Sequence, residues 1–256
     1  MHLVDTLNNS LQNPADFAHG PAFPLRPIRS FVRREGRMTP AQQRALTDYW
    51  VTFGVDAAAG LLNLEALFGR RSSRTLEIGF GNGESLTTMA AAHPDQDYLG
   101  IEVHRPGVGH LLLRATAWQL TNLRVLCTDA VEALNRQIPD AAFERIQIFF
   151  PDPWPKVRHH KRRLIQAERV TLLVRKLKPG GQLHVATDCE DYAGVILALF
   201  NATPELENAA GDGGFVPRPV WRPLTWFEQR GQRLGHRIRD LLFTRCAVAS
   251  DPKQNA

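Results

Sequence analysis

Residues 74–93 read RTLEIGFGNGESLTTMAAAH, and this stretch decides the fold. It begins with a short β-rich run, continues through three glycines and ends in a segment of helical composition. A strand that passes through a glycine turn directly into a helix is typical of the first unit of a doubly wound sheet. The stretch therefore predicts an α/β domain that begins at Arg74.

The same alternation continues along the chain. Short apolar runs predict strands at 97–103, 122–130, 143–150 and 181–188, and the segments between and after them predict helices at 106–120, 131–138, 161–177 and 190–200. After a connection rich in proline and glycine at 211–223, residues 239–249 predict a terminal strand. Strands that alternate with helices of this length favour a doubly wound, mostly parallel sheet with helices on both faces.

The glycine turn runs from Glu77 through Gly79 and Gly81 to Gly83 and lies where such a sheet binds its cofactor. A dinucleotide fingerprint would have its third glycine at position 84. Glu84 stands there instead, and a carboxylate at a helix start disfavours a pyrophosphate. The turn therefore favours a ligand without phosphates, such as S-adenosylmethionine, whose cationic centre tolerates Glu77.

Two more carboxylates follow the next two strands. Glu102 is placed to accept the hydroxyl protons of a ribose, and Asp129 is placed to meet an adenine amino group. Either acid alone is more often a helix cap. Acids at the tips of three successive strands, beside a triple-glycine turn, indicate a nucleoside site.

The fourth strand leads into Phe149-Phe-Pro-Asp-Pro-Trp-Pro-Lys156, at the catalytic position of such a sheet. Two flanking prolines stiffen the loop and favour an extended conformation at Asp152. Trp154 offers a ring face on which a base could stack. We predict Asp152 as the catalytic residue.

A basic run follows at once, and it predicts an element that grips phosphates. Its members are Lys156, Arg158, His159, His160, Lys161, Arg162 and Arg163. The two histidines are not interpreted as metal ligands, because adjacent residues diverge on any regular element and no further ligands are evident. No metal is therefore predicted.

Two later positions complete the predicted site. Asp188 ends the fifth strand at the rim of the site, and Thr225, Trp226, Phe227 and Glu228 mix aromatic, polar and acidic groups suited to closing a base pocket. A plain surface turn is equally consistent with the composition of this second stretch.

Composition excludes several classes of protein. A chain of 256 residues that is 43% hydrophobic can bury a core, so disorder throughout is excluded. No run approaches the roughly 18 apolar residues of a spanning helix. Residues 26–44, 154–178 and 215–245 hold 22 of the 31 Lys and Arg residues but only four of the 26 acids. An acidic body with basic patches predicts a polyanionic partner, against the alternative of solvated helix faces.

The cysteines and the termini indicate the compartment and the domain organisation. Three scattered cysteines without a CxxC pair, and an N-terminus without a secretory signal, predict a cytoplasmic protein. We divide the chain into a flexible tail (1–25), a basic arm with a leading helix (26–73), the main domain (74–247) and a C-terminal tail (248–256). Thr39 is the predicted cap of the leading helix, with Pro40 at its first position.

From Ile28 to Ala247 the chain resembles bacterial tRNA (guanine-N7-)-methyltransferases of the TrmB family. The resemblance is carried by IRSFVRREGRMT, EIGFGNGESL, GIEVHRPGVG, FFPDPWPKVRHHKRR, VATDCEDYA and RPLTWFEQRGQRLGH. The most specific of these motifs is FPDPWPK with the HHKRR that follows. The family often has an aromatic residue where Cys189 stands and a lysine where Trp226 stands, so the shape of the pocket differs in detail.

The resemblance implies a Rossmann-like, class I methyltransferase fold with a seven-stranded sheet. It also implies methyl transfer from S-adenosylmethionine to N7 of a guanosine in the tRNA variable loop, at position 46. The implied roles are cofactor binding for Glu77, Glu102 and Asp129, cofactor binding and catalysis for Asp152, substrate binding for Lys156, Asp188 and Thr225 to Glu228, and RNA contact for Arg158 to Arg163. A monomer and a homodimer are both compatible with it, and no membrane is involved.

Three other interpretations stay open at this point. An RNA methyltransferase acting on an amino group (N2 or N6) is one, because Asp152-Pro153-Trp154 is similar to the acid–Pro–Pro–aromatic loop of such enzymes. A second is an RNA-binding module that has lost activity, although the glycines and acids of the cofactor turn are intact. A nicotinamide dehydrogenase is more distant.

Overall fold

The computed structural model describes residue 31, residues 37–56 and residues 60–247. In this part of the chain the helices are α1 (Pro40–Asp48), α2 (Trp50–Phe53), α3 (Leu64–Phe68), α4 (Glu84–Ala92), α5 (Arg105–Ala117), α6 (Ala130–Arg136), α7 (Ala167–Lys176), α8 (Glu190–Asn201) and α9 (Trp226–Arg233). The strands are β1 (Arg74–Ile78), β2 (Asp97–Ile101), β3 (Leu123–Leu126), β4 (Phe143–Phe149), β5 (Leu177–Thr187), β6 (Leu206–Asn208) and β7 (Arg239–Arg245).

The strands form one seven-stranded sheet in the order β3-β2-β1-β4-β5-β7-β6. Strands β1 to β5 are parallel to one another, and β7 runs antiparallel between β5 and β6. The order reverses between β1 and β4, and such a reversal opens a crevice at the carboxyl ends of the strands. The Rossmann-like, mostly parallel fold predicted above is confirmed.

Helices cover both faces of the sheet, as predicted. One apolar layer joins the sheet to α1, α4 and α5 through residues such as Ala45, Leu86 and Leu111. The other joins it to α6, α7 and α8 through residues such as Leu134 and Leu173. Both layers hold the strands rigidly, so the side chains at the strand ends have fixed positions.

The leading helix begins as predicted. Thr39 accepts a hydrogen bond from the amide of Gln42 (3.2 Å), and the Gln42 side chain accepts one from the amide of Thr39 (2.9 Å). This reciprocal pair is a capping box, with Pro40 at the first helical position.

The helix predicted at 161–177 was wrong in its first part. Residues Val157–Arg162 form a 3-10 turn, and α7 begins only at Ala167. Between them the chain is tied to other elements, because the amide of Ile165 donates to the hydroxyl of Tyr192 (2.9 Å). The strand that follows α7 also begins earlier than predicted, at Leu177 instead of Gly181.

Two elements were not predicted at all. Strand β6 has three residues, which is too short for a visible alternation pattern. Helix α9 buries only Glu228 and Gly231, so it lacks the apolar periodicity that indicates a helix. Thr225 caps α9 by accepting a hydrogen bond from the amide of Glu228 (3.3 Å).

The predicted N-terminal tail, the C-terminal tail and most of the arginine-rich part of the arm lie outside the described residues. Among the residues that are described, the search for helices long and apolar enough to cross a membrane finds none.

Candidate active site

Two adjoining cavities lie in the crevice at the carboxyl ends of the strands. The strand-end cavity, of about 210 Å³, is lined by residues that follow β1, β2, β3 and β4. The aromatic cavity, of about 310 Å³, is lined by the turn after β1 and by residues at the start of α9. Gly79, Phe149 and Phe150 line both, so the two cavities meet at the ends of β1 and β4.

The glycine turn after β1 forms part of both walls. Gly79, Gly81 and Gly83 have φ values of 74°, 58° and 77°, in the left-handed region where a side chain is strained. A Cβ atom on Gly83 would also come within 2.6 Å of Leu111, whereas one on Gly79 or Gly81 would point into open space. The backbone at Gly79 and Gly81 is therefore open to a ligand.

The turn depends on a fourth glycine, Gly107 in α5. A Cβ atom there would overlap the carbonyl oxygen of Gly81, and backbone cannot move aside as a flexible side chain can. We expect Gly107→Ala to destabilise the fold by about 1–3 kcal/mol, although alanine is the better helix former. Thermal unfolding checks this, together with the affinity for S-adenosylmethionine, which we expect to fall.

The matched control for that substitution is Gly194→Ala in α8. Gly194 is an exposed helical glycine with no atom within 4 Å of an added Cβ. We expect this variant to gain up to about 1 kcal/mol from helix propensity. A Gly107→Ala protein as stable as the Gly194→Ala protein would contradict the steric argument.

Glu102 is held at the end of β2 by three backbone amides. One carboxylate oxygen accepts from Gly81 (2.9 Å), and the other accepts from Val103 (2.7 Å) and His104 (2.9 Å). A carboxylate has about four lone-pair sites. Glu102 therefore keeps acceptor capacity toward the strand-end cavity, which it lines.

Asp129 serves as the N-terminal cap of α6. Its Oδ1 accepts from the amides of Val131 (2.8 Å) and Glu132 (3.3 Å). Its neighbours Thr128 and Ala130 line the strand-end cavity. Asp129 therefore caps a helix directly beside the cavity. Its contact with an adenine amino group stays a prediction.

Glu77 lies at the floor of the aromatic cavity and is only 2% exposed. Its Oε2 accepts a hydrogen bond from Nε2 of Gln147 on β4 (2.8 Å). Burial raises the pKa of this carboxyl to about 8, and the nearby charge of Glu102 adds to the rise. A buried carboxyl with a raised pKa in a cavity is ready to receive a cationic group.

Asp152 lies in a loop with strained backbone on either side. Phe150 and Trp154 have φ values of 51° and 47°, which non-glycine residues rarely adopt. Each such residue costs on the order of 1–3 kcal/mol and persists only where surrounding contacts hold it. The Asp152 side chain is exposed and lines the strand-end cavity.

Arg163 supplies one of the contacts that hold this loop. Its Nε donates to the carbonyl oxygen of Pro153 (2.8 Å), and its guanidinium pairs with Asp191 and lies 4.7 Å from the centre of the Tyr192 ring. Arg163 is only 3% exposed. Its position therefore gives it a structural contact, and the predicted contact with RNA has no support from the geometry.

The remaining members of the basic run face outward or cover Trp154. Arg158 and Lys161 are exposed on the 3-10 turn, and Lys156 is exposed directly before it. Partial burial and then repulsion from the neighbouring cations lower the pKa of His159, which favours a neutral ring at pH 7. His160 is half-buried on the same turn.

The expected stacking face of Trp154 is partly covered. The guanidinium of Arg162 lies 5.2 Å from the Trp154 ring centre, and the His159 ring meets it edge-on at 5.9 Å. Trp154 therefore supports the basic turn, and its interpretation as a stacking platform for a base is not favoured by the structure.

The four residues at the start of α9 have different environments. Trp226 and Phe227 are 61% and 52% exposed and line the aromatic cavity together with Thr225. The Phe227 ring lies 5.1 Å from that of Phe150. Glu228 is 1% exposed and points away from solvent.

Glu228 belongs to a buried ionic network centred on Arg222. The two guanidinium Nη atoms pair with both carboxylate oxygens of Glu228, and Nη2 also donates to Oδ2 of Asp240 (3.0 Å). Nε2 of His184 lies 2.8 Å from Oδ1 of Asp240, and burial lowers the pKa of His184. Both Arg222 and His184 contact the Phe149 ring, at 5.7 Å and 5.0 Å, so the network backs the junction of the two cavities.

Asp188 is half-buried at the end of β5 and lies 3.0 Å from Nδ1 of His236, in the loop after α9. This contact joins the end of β5 to the segment that follows the aromatic cavity. The predicted contact of Asp188 with substrate stays a prediction.

Two residues of the site were missed by the sequence analysis. Phe31 of the basic arm lines the strand-end cavity, and Gln147 holds Glu77. An aromatic side chain within a run of arginines was a visible signal for Phe31. No pattern indicated Gln147, because its partner comes from another strand. Arg222 begins the RPLTWFEQRGQRLGH motif, but its pairing with Glu228 was not predicted. The described residues contain no group of side chains that could hold a metal ion.

The chain is similar to known methyltransferases. A family model described as a putative methyltransferase matches residues 71–241. The chain is 54% identical over 235 residues to a tRNA (guanine-N(7)-)-methyltransferase of Alkalilimnicola ehrlichii, covering 91% of this chain and 97% of that protein. It is 55% identical over 219 residues to a protein of the same name from Halorhodospira halophila, covering 85% of this chain and 95% of that protein.

Proposed function

Because the chain belongs to the tRNA (guanine-N7-)-methyltransferase family, we propose that it methylates N7 of a guanosine in the tRNA variable loop, at position 46, with S-adenosylmethionine as methyl donor. The observation that supports this most directly is the junction of the two cavities next to Asp152. A nucleoside-binding crevice that opens into a cavity with aromatic walls suits a reaction between a nucleoside cofactor and a nucleobase.

The residues present fit S-adenosylmethionine. The strand-end cavity has apolar walls, including Ile78, Ile101 and Val103, and the unused acceptor capacity of Glu102 suits ribose hydroxyls. The open backbone at Gly79 allows close approach, and Glu77 offers a buried carboxyl to a cationic group. When bound, the cofactor supplies an electrophilic methyl group on a positively charged sulfur.

Methyl transfer to guanine N7 does not require the protein to move a proton. Guanine N7 carries an in-plane lone pair that is unprotonated at neutral pH, so no general base is needed. The protein must align the base and stabilise the positive charge that develops on it. Asp152 lies where a carboxylate can do this, either through its charge or by accepting hydrogen bonds from the N1–H and amino edge of guanine.

The base must leave its stack to reach this cavity, and the exposed rings of Trp226 and Phe227 suit an extruded guanine. Lys156, Arg158 and Lys161 are placed on the neighbouring turn to bind backbone phosphates. Asp188 and Thr225 lie on the surrounding segments and are assigned to substrate binding. Glu228 acts through Arg222, as a positioning residue.

We place the reaction in the cytoplasm. The described cysteines form no disulfide, which suits a reducing compartment. The partner is tRNA, and both a monomer and a homodimer suit the proposal.

The test is transfer of labelled methyl groups from S-adenosylmethionine to an unmodified tRNA transcript. A matched transcript carries adenosine in place of the variable-loop guanosine. We expect label on the first and none on the second, and chain cleavage at the labelled guanosine after borohydride and aniline treatment. Label that resists this cleavage would indicate methylation of an amino group, and equal label on both transcripts would remove the assigned target.

A further inference from the structure

We propose that the exposed side of α9, continued to Arg237, is a second RNA-contact surface. It would bind backbone phosphates of the same tRNA whose guanosine enters the aromatic cavity, so the inference rests on the proposed function. We define this surface as Trp226, Arg230, Arg233 and Arg237 and call it the α9 face.

The residues of the α9 face within the helix lie on one side of it. Trp226, Arg230 and Arg233 are spaced at i, i+4 and i+7, which places them in one row along a helix. The buried residues of α9, Glu228 and Gly231, fall outside that row. Each side chain of the row is exposed, and the Arg230 guanidinium lies 5.7 Å from the centre of the Trp226 ring.

The cations of the α9 face lack the carboxylate partners that Arg222 and Arg239 have. Within residues 215–245, Arg222 pairs with Glu228 and Asp240, and Arg239 pairs with Glu190. Arg230, Arg233 and Arg237 form no ion pair with any residue in the described part of the chain.

Some exposed arginines on other surfaces are paired with carboxylates. Arg71 pairs with Glu65 at 2.9 Å and Arg136 with Glu132 at 3.1 Å. Three arginines without carboxylate partners, within eight residues of the chain, create a local positive potential that favours a polyanion.

Trp226 of the α9 face lines the aromatic cavity, and the basic 3-10 turn follows the loop whose first residue, Phe150, lines the same cavity. Phe227 follows Trp226 directly and contacts the ring of Phe150 at 5.1 Å. The loop that begins at Phe150 leads to Lys156 and the basic turn. A strand that delivers one base to the cavity carries phosphates on both sides of that nucleotide, and each surface can bind one side.

Trp226 adds a stacking surface to these charges. Its backbone amide donates to Oε2 of Glu84 (3.2 Å), which fixes the start of α9 against the start of α4. The indole is 61% exposed and carries a guanidinium near one face, an arrangement suited to holding a base by stacking.

The test compares two double variants by the salt dependence of tRNA binding. Arg230→Ala with Arg233→Ala removes two charges from the α9 face, and Arg71→Ala with Arg136→Ala removes two charges from ion-paired sites elsewhere. We expect the slope of log affinity against log salt concentration to decrease by about 1.4 to 1.8 in the first variant and to stay near the wild-type value in the second. Trp226→Ala is expected to weaken binding roughly tenfold with the slope unchanged.

Two outcomes overturn the inference. An unchanged slope in the α9 variant would remove this surface from the RNA interface, and an equal decrease in the control variant would show a non-specific effect of net charge. The binding assay does not depend on turnover. Methyl transfer by the wild type, measured on the same transcript, therefore tests the proposed function separately, and its absence would leave the slope comparison decisive for the α9 face.

Discussion

Asp152→Asn is expected to lower the rate of methyl transfer at saturating tRNA and S-adenosylmethionine by roughly 100- to 1,000-fold, the effect typical of losing one preorganised electrostatic contact to a transition state. Asparagine has nearly the same shape as aspartate but no charge. The loop itself should stay in place, because Arg163 holds the carbonyl of Pro153 and not the carboxylate. The measurement is the single-turnover rate, since it reports the chemical step without product release.

The affinity for tRNA should change little in this variant, because the exposed cations proposed to bind phosphates lie on the basic turn and on the α9 face. Asp95→Asn is the matched control, since Asp95 is an exposed carboxylate that precedes β2 and so lies at the other end of the strands. A parallel loss of affinity and rate would make Asp152 a binding residue first.

A tRNA with inosine at the target position separates the two roles of Asp152. Inosine keeps N7 and N1–H but lacks the 2-amino group. If the carboxylate accepts hydrogen bonds from the base edge, the wild type methylates the inosine tRNA more slowly than the guanosine tRNA. The asparagine variant, which has already lost this contact, then shows little difference between the two substrates. If the carboxylate acts through its charge, inosine lowers the rate of methyl transfer by the same factor in both proteins.

The strand-end acids could be predicted because of a simple rule of topology. Carboxyl ends of neighbouring parallel strands meet at one edge of the sheet, so Glu77, Glu102 and Asp129 had to lie near one another once the strands were identified. The structure places all three beside the two cavities. It adds what the sequence could not show, namely that Glu77 is buried while Glu102 is held by amides.

Burial of individual charges was not predictable. Arg163 stands in a run of cations that are mostly exposed, yet its partners Pro153 and Asp191 come from a loop and from α8. Glu228 likewise lies in a polar stretch, and its burial depends on Arg222. Whether a charged residue faces solvent or a partner is decided by tertiary contacts, which leave no pattern in the local sequence.

These buried contacts stabilise the strained backbone of the loop that carries Asp152. Left-handed residues at Phe150 and Trp154 aim the intervening Asp152 at the crevice. Arg163 fixes the loop from the side of α8, while Arg222 and His184 pack against Phe149. Polar groups that are removed from water and fully partnered stabilise one arrangement of a loop over others, and here that arrangement sets the geometry of the site.

Glu77→Gln is expected to raise the stability of the ligand-free protein at alkaline pH and to abolish most of its affinity for S-adenosylmethionine. The folded protein raises the pKa of Glu77 from 4.5 to about 8, chiefly through burial. Between these values the folded state holds a proton that the unfolded chain releases, so the wild type loses stability as the pH rises from about 5 to 8. Every tenfold difference in proton affinity between the two states corresponds to roughly 1.4 kcal/mol, so the whole effect on the free energy of unfolding is a few kcal/mol.

Glutamine has the shape of the protonated carboxyl and does not titrate. Thermal unfolding of the two ligand-free proteins should therefore give similar midpoints near pH 5 and a higher midpoint for the variant above pH 8. The exposed Glu207 provides the control, and Glu207→Gln should follow the wild type at every pH. A variant whose midpoint runs parallel to that of the wild type across this range would mean that Glu77 is already ionised in the ligand-free fold.

Cofactor binding should also depend on the protonation state of Glu77. Folding favours the protonated carboxyl, whereas binding of the cofactor should favour the ionised carboxylate. A cationic ligand favours the ionised carboxylate, so binding to the wild type below pH 8 should release a proton, and its affinity should increase with pH. Calorimetry in buffers of different ionisation enthalpy measures that proton directly. Proton release that persists in Glu77→Gln would have to come from another group, and the buried carboxyl would then contribute to the fold alone.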